Sequence, residues 1–174
     1  MKTKLININY FFGIIVGLTY PDFDFFLIDY IGHRSILTHS IIIFLIIFML
    51  FKNSNEHKKI YFLSGVCLGL IIHLFSDMEL PSNFIGLKTI KFFSYDLLYF
   101  SFYWIFLNIL IAYYFFEKLT RLLRFNRKNY HLLNFIIGAI YIYINSANYF
   151  ILTSIFILFT LLIHFFFKRF NLFF

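Results

Sequence analysis

Six apolar runs divide this chain, at Leu5–Tyr20, Ile36–Phe51, Ile60–Phe75, Leu98–Phe116, His131–Asn145 and Phe150–Phe167. A soluble domain carries about 25% charged residues and about 45–50% apolar ones, whereas 13% of these 174 residues are charged and 61% are hydrophobic. A water-soluble globule of this size cannot hide that much Phe, Ile and Leu. None of the runs alternates with the two-residue period of a barrel strand. The expected fold is all-α: one domain over residues 1–174, a polytopic transmembrane helix bundle of about six spans. Several runs fall short of the ~20 residues that cross a bilayer comfortably. Either the helices extend into polar ends, or some stop inside the bilayer at a polar site.

The net charge of +7 would suit a nucleic-acid partner, but its placement argues against one. Lys2, Lys4, Lys52, Lys58, Lys59, Lys118, Arg121, Arg124, Arg127, Lys128, Lys168 and Arg169 sit in the flanks that face one side if the spans alternate. Arg34, Lys88 and Lys91 sit on the other side. Basic flanks mark the cytoplasmic face, so both termini are expected in the cytoplasm, with the protein multi-pass in the cell membrane and the bilayer as its partner. The cluster from Lys118 to Lys128 reads as a topology determinant and anionic-lipid anchor, with Glu117 paired to Arg121 four residues on. Cys67 is the only cysteine, which excludes an intrachain disulfide and a cysteine-based zinc site.

The chemistry collects at the outer face. The first outer loop reads Tyr20-Pro21-Asp22-Phe23-Asp24, then His33-Arg34-Ser35-Ile36-Leu37-Thr38-His39-Ser40, and the third run ends His73-Leu74-Phe75-Ser76-Asp77. Alternating spans bring these pieces, within 20–40 and 69–77, to one depth. His73 and Asp77 stack one turn apart on a helix face. Asp22 and Asp24 follow a proline, which suits a turn presenting two carboxylates to one point. Ser35 is placed to cap the second helix.

Imidazole and carboxylate together suit zinc or manganese. Asp22, Asp24, His33, His39, His73 and Asp77 are the expected ligands of one or two divalent metal ions. Six candidates exceed what one tetrahedral ion needs, so either two ions bind or some of the six orient the others. A bound ion acidifies water at neutral pH. Arg34 carries a planar fork suited to a phosphate or carboxylate on substrate, and Asp24 or Asp77 could serve as general base if it is not a ligand. Each piece also has a plainer reading: a solvated turn for Asp22 and Asp24, an interfacial residue for His33, a bundle-steadying pair for His73 and Asp77. Asp29, Glu79 and Asp96 are weaker outer candidates, while His57, His131 and His164 read as solvated or structural.

The pattern Pro21-Asp22-x-Asp24, then His33-Arg34-x-x-x-Thr38-His39-Ser40, then His73-x-x-x-Asp77 resembles the membrane-bound metal-dependent hydrolases, also described as LexA-binding, inner-membrane-associated hydrolases. The resemblance covers roughly the first half of the chain. It implies a multi-pass protein with a metal site and hydrolase activity. After Asp77 the chain departs from the threonine-proline-glycine turn common in that family and reads Met78-Glu79-Leu80-Pro81. The expected function is metal-dependent hydrolysis at the extracytoplasmic interface, on a small phosphoester or a lipid-linked substrate. The alternatives are a small ion or metal transporter and a non-catalytic membrane protein steadied by its metal.

Overall fold

The structure is a computed structural model and describes residues 7–27, 30, 34–51, 57–77, 91–92, 95–96, 98–123, 127–145, 156–158 and 162. Asp29, His33, Glu79, His164 and most of the sixth run lie outside the described residues. Within them the chain is helical apart from one two-stranded pairing and the turn at 34–41. The α-helices are α1 (Ile8–Thr19), α2 (Ile42–Phe51), α3 (His57–Asp77), α4 (Leu98–Leu122) and α5 (Arg127–Asn145). A 3-10 helix, Tyr20–Leu27, continues directly from α1. Strands β1 (Lys91–Phe92) and β2 (Tyr95–Asp96) pair antiparallel, an element the apolar pattern did not announce.

Among the described residues two helices are long and apolar enough to cross a membrane: His57–Asp77, and Phe100–Leu122 within α4. α3 is the centre of the fold. It is buried almost continuously from Leu63 to Asp77, and α1, α2, α4 and α5 all pack against it. α4 keeps Phe100, Tyr103 and Leu107 on an exposed apolar face. The helices alternate in direction. Gly13 meets Phe62 and Val66 while Gly17 meets Val66 and Leu70, so α1 and α3 run parallel. α5 joins them, bonded to α1 through Tyr10 and Asn134 (2.7 Å) at one end and to His73 through Tyr141 at the other. α2 and α4 run the opposite way, paired from Ile41–Asn108 to Phe48–Phe115.

Two Gly-x-x-x-Gly pairs bring α1 and α3 together, Gly13/Gly17 on one helix and Gly65/Gly69 on the other. Small residues at this spacing let helix backbones approach closely where lipid offers no hydrophobic drive. Here the approach leaves no room for a methyl. A Cβ on Gly17 would stand 2.9 Å from the Gly69 Cα, and one on Gly69 would stand 2.8 Å from the Gly17 Cα.

The second helix differs from expectation. It starts at Ile42 rather than Ile36, and Ser35 does not cap it. The hydroxyls of Ser35, Thr38 and Ser40 compete for the local backbone. Leu37 N–H donates to Ser35 Oγ, Ser40 Oγ donates to the Leu37 carbonyl, and Thr38 Oγ1 lies 3.2 Å from the Ser35 carbonyl. The result is a tight turn. At its end Ile41 N–H donates to Asn108 Oδ1 of α4 (2.8 Å), and Ser40 Oγ accepts from Ile42 N–H.

Candidate metal centre

The C-terminal ends of α1 and α3 lie side by side, so the 3-10 helix, the 34–41 turn and the last turn of α3 bring their side chains to one cluster. Asp22 and Asp24 enter from the 3-10 helix. Such a helix turns about 120° per residue, so residues two apart cannot face one point. The pair accordingly divides, which corrects the expectation of a shared focus. Asp22 turns outward, its side chain 53% exposed, with Oδ1 3.7 Å from His73 Nε2. Asp24 is fully buried. Its Oδ2 accepts from Ser35 N–H (2.8 Å) and Thr38 Oγ1 (2.7 Å), and lies 3.3 Å from His39 Nδ1.

His39 is buried between two carboxylates: Asp24 at Nδ1, and Asp77 Oδ2 at Nε2 (3.4 Å). The segment that carries it is pinned again where Tyr20 donates its phenol to the Ser40 carbonyl (2.9 Å). His73 stands one turn before Asp77 on α3, with Nε2 3.2 Å from Asp77 Oδ2. Its Nδ1 lies 2.8 Å from the Leu18 carbonyl, which the change from α-helix to 3-10 helix leaves available, and 3.1 Å from the Tyr141 hydroxyl.

The Leu18 contact fixes one proton position. A carbonyl only accepts, so His73 Nδ1 carries a hydrogen, and in the neutral ring Nε2 presents its lone pair. His39 has a carboxylate at each nitrogen, Asp24 at Nδ1 and Asp77 at Nε2. Both Nε2 atoms face Asp77 Oδ2. His73 Nε2 and Asp77 Oδ2 are both buried and stand 3.2 Å apart. Asp22, His39 and His73 each offer a donor atom within 4.8 Å of the others, a group that could hold a metal ion.

Arg34 closes the cluster, its Nε 3.8 Å from Asp77 Oδ1. Its backbone sits at φ 63°, in the left-handed region, which costs a residue with a Cβ roughly 1–2 kcal/mol. That turn aims the Ser35 N–H at Asp24 and the guanidinium at Asp77. His57, on the first turn of α3, is exposed at the far end of the fold, as expected for a solvated flank. Glu117 is buried and accepts from Tyr113 Oη at 3.3 Å.

Three contributors escaped the sequence reading. Asn108 carried a signal, as an amide within an apolar helix. Tyr20 adjoins the Pro21-Asp22 motif and reads as an interfacial aromatic. Tyr141 is one of 13 tyrosines, and nothing local distinguishes it. Compared with protein-family models, curated proteins and solved structures, the chain finds no match.

Proposed function

We propose that this protein is a multi-pass membrane hydrolase whose divalent metal ion is held by His39, His73, Asp77 and Asp22. The observation that carries the reading is the contact between His73 Nε2 and Asp77 Oδ2. With Nδ1 protonated against Leu18, the Nε2 of a neutral ring turns its lone pair on a carboxylate oxygen 3.2 Å away inside the protein. Two acceptors repel at that distance unless something positive lies between them.

Charge points the same way. Among the described charged groups of the cluster, the carboxylates of Asp22, Asp24 and Asp77 outnumber the Arg34 guanidinium by two when both imidazoles are neutral. Burying uncompensated charge costs several kcal/mol per ion, on the order given for desolvated ions. A divalent cation cancels that excess. Protonated imidazoles would cancel it too, so metal content is the deciding measurement.

In this reading Asp24 is not a ligand. It fixes the tautomer and ring plane of His39, as carboxylates behind metal-bound histidines do. When bound, the ion supplies acidified water and charge stabilisation. Arg34 binds a phosphate or other anionic group of the substrate. Asp22 is the exposed edge of the cluster, so substrate enters there. The remaining apolar runs complete a six-span bundle, and the positive-inside bias puts the site outside the cytoplasm. The sequence pattern supports kinship with the membrane-bound metal-dependent hydrolases.

The test is metal analysis of purified wild type, His73→Ala and Asp77→Asn, with turnover on a phosphoester panel. Bound zinc or manganese in wild type, lost with turnover in both variants, is expected. Equal metal content in all three overturns the site. Cation flux into proteoliposomes without hydrolysis would make the protein a permease. Bound metal with neither activity would make the ion structural.

A further inference from the structure

Tyr141 reaches the cluster from α5, a helix that supplies none of the proposed ligands. Its hydroxyl is 3.1 Å from His73 Nδ1, but that nitrogen has one hydrogen and directs it to the Leu18 carbonyl at 2.8 Å. Nδ1 therefore has no lone pair to accept the phenolic proton. The Tyr141 oxygen can at most accept a share of the Nδ1–H, and its own hydrogen stays available. A phenol is protonated at neutral pH, with an ordinary pKa of about 10, so that hydrogen is a fixed donor. Tyr141 is half-buried, and its ring stands 6.2 Å from the His73 ring. A donor placed beside a cation ligand, in a cluster otherwise rich in acceptors, suits an anionic oxygen brought by a ligand.

We propose that Tyr141 is a substrate-binding residue, its phenol donating a hydrogen bond to a phosphoryl oxygen of the group held at the cation. The proposal rests on the metal-centre reading above. It assigns the two ends of the bound group to different elements: Arg34 reaches it from the 34–41 turn, and Tyr141 reaches it from α5.

The experiment uses inorganic phosphate as probe, titrated calorimetrically into zinc- or manganese-loaded protein in detergent. Tyr141→Phe keeps the ring and removes only the donor, and Tyr143→Phe, on an exposed face two residues on, serves as control. Metal content is expected to match wild type in both variants. Phosphate affinity is expected to fall about 10- to 100-fold in Tyr141→Phe, the range for a hydrogen bond to a charged group, and to hold in Tyr143→Phe. Unchanged phosphate affinity in metal-loaded Tyr141→Phe, or no phosphate binding by metal-loaded wild type, overturns the role of Tyr141 and leaves the cation site standing. Loss of metal from Tyr141→Phe would make it part of the metal-holding structure instead and also overturns the proposal. Wild type without metal overturns the metal centre, and Tyr141's role with it.

Discussion

The imidazoles of His39 and His73 stand 5.4 Å apart, steeply inclined at 60°, and both turn Nε2 towards the same oxygen of Asp77. One histidine comes from an irregular turn and the other from the most buried helix, so their meeting depends on what holds each ring from behind. Asp24 holds His39, and the Leu18 carbonyl holds His73.

That arrangement ranks the variants. His39→Ala and His73→Ala each remove a ligand and should abolish stoichiometric metal. Asp24→Asn keeps an acceptor but loses the charge behind His39, and should weaken metal affinity about 10- to 100-fold, the usual effect of such partners. Competition against a chelator of known affinity measures the order. Asp24→Asn losing metal as completely as His39→Ala would make Asp24 a ligand.

Arg34 gives a stability test with an unusual sign. At φ 63° glycine is relaxed, whereas alanine keeps the strain. Both substitutions lose the 3.8 Å contact with Asp77, so that loss is common to the two variants and drops out of the comparison. Arg34→Gly should therefore be more stable than Arg34→Ala by about 1 kcal/mol, the reverse of the order in a helix, and both should lose affinity for anionic substrate. Thermal unfolding of the two variants side by side gives the comparison. A more stable alanine variant would show that this turn is not held left-handed.

The helical fold and the Asp22, His39 and His73 group were legible because apolar runs, and ionisable residues at their ends, are strong signals. His73 and Asp77 meet as their four-residue spacing requires, and the three separated motifs arrive at one cluster. The division of labour was not legible. Whether Asp22 and Asp24 point together or apart depends on 3-10 rather than extended geometry, which their two-residue spacing does not decide. The start of α2 at Ile42 reflects competition by three hydroxyls, against an apolar pattern that reads as helix from Ile36. The paired glycines were in plain view at Gly13, Gly17, Gly65 and Gly69. Only the fold shows that the two motifs face each other.

That facing predicts a remote effect on the site. A methyl on Gly17 would meet the Val66 carbonyl, with the Leu70 nitrogen 2.9 Å away, and backbone atoms cannot rotate aside. α1 must then shift, and the Leu18 carbonyl moves off His73. Gly17→Ala should cost about 1–3 kcal/mol, as overpacking does, and should weaken metal affinity at least tenfold without touching a ligand. Ile15→Ala, on the exposed face of the same helix, should stay within about 0.5 kcal/mol of wild type. Unaltered metal affinity in Gly17→Ala would mean that the site does not depend on this helix contact.

Asn108 offers a second remote handle. Its Oδ1 accepts from Ile41 N–H at the end of the turn that carries His39, while its Nδ2 donates to the Trp104 carbonyl. Asn108→Ala leaves a buried N–H without an acceptor and should cost about 1–3 kcal/mol, with weaker metal binding as the turn loosens. Asn108→Asp restores an acceptor and should recover most of the metal affinity. Equal losses in both variants would assign Asn108 to packing of α4 alone.

Orientation can be read from the two ends of the bundle. Phe26 is 80% exposed on the 3-10 helix beside the site, and His57 is exposed at the start of α3. The 21 residues of α3 separate these ends by about 30 Å, the thickness of the hydrocarbon core. Cys67 is buried and would be replaced by alanine to give a silent background. In intact cells Phe26→Cys should react with a membrane-impermeant thiol reagent, and His57→Cys should react only after lysis. The reverse pattern would place the metal centre in the cytoplasm. Labelling of both in intact cells would show that α3 does not cross the membrane, whatever its length and hydropathy.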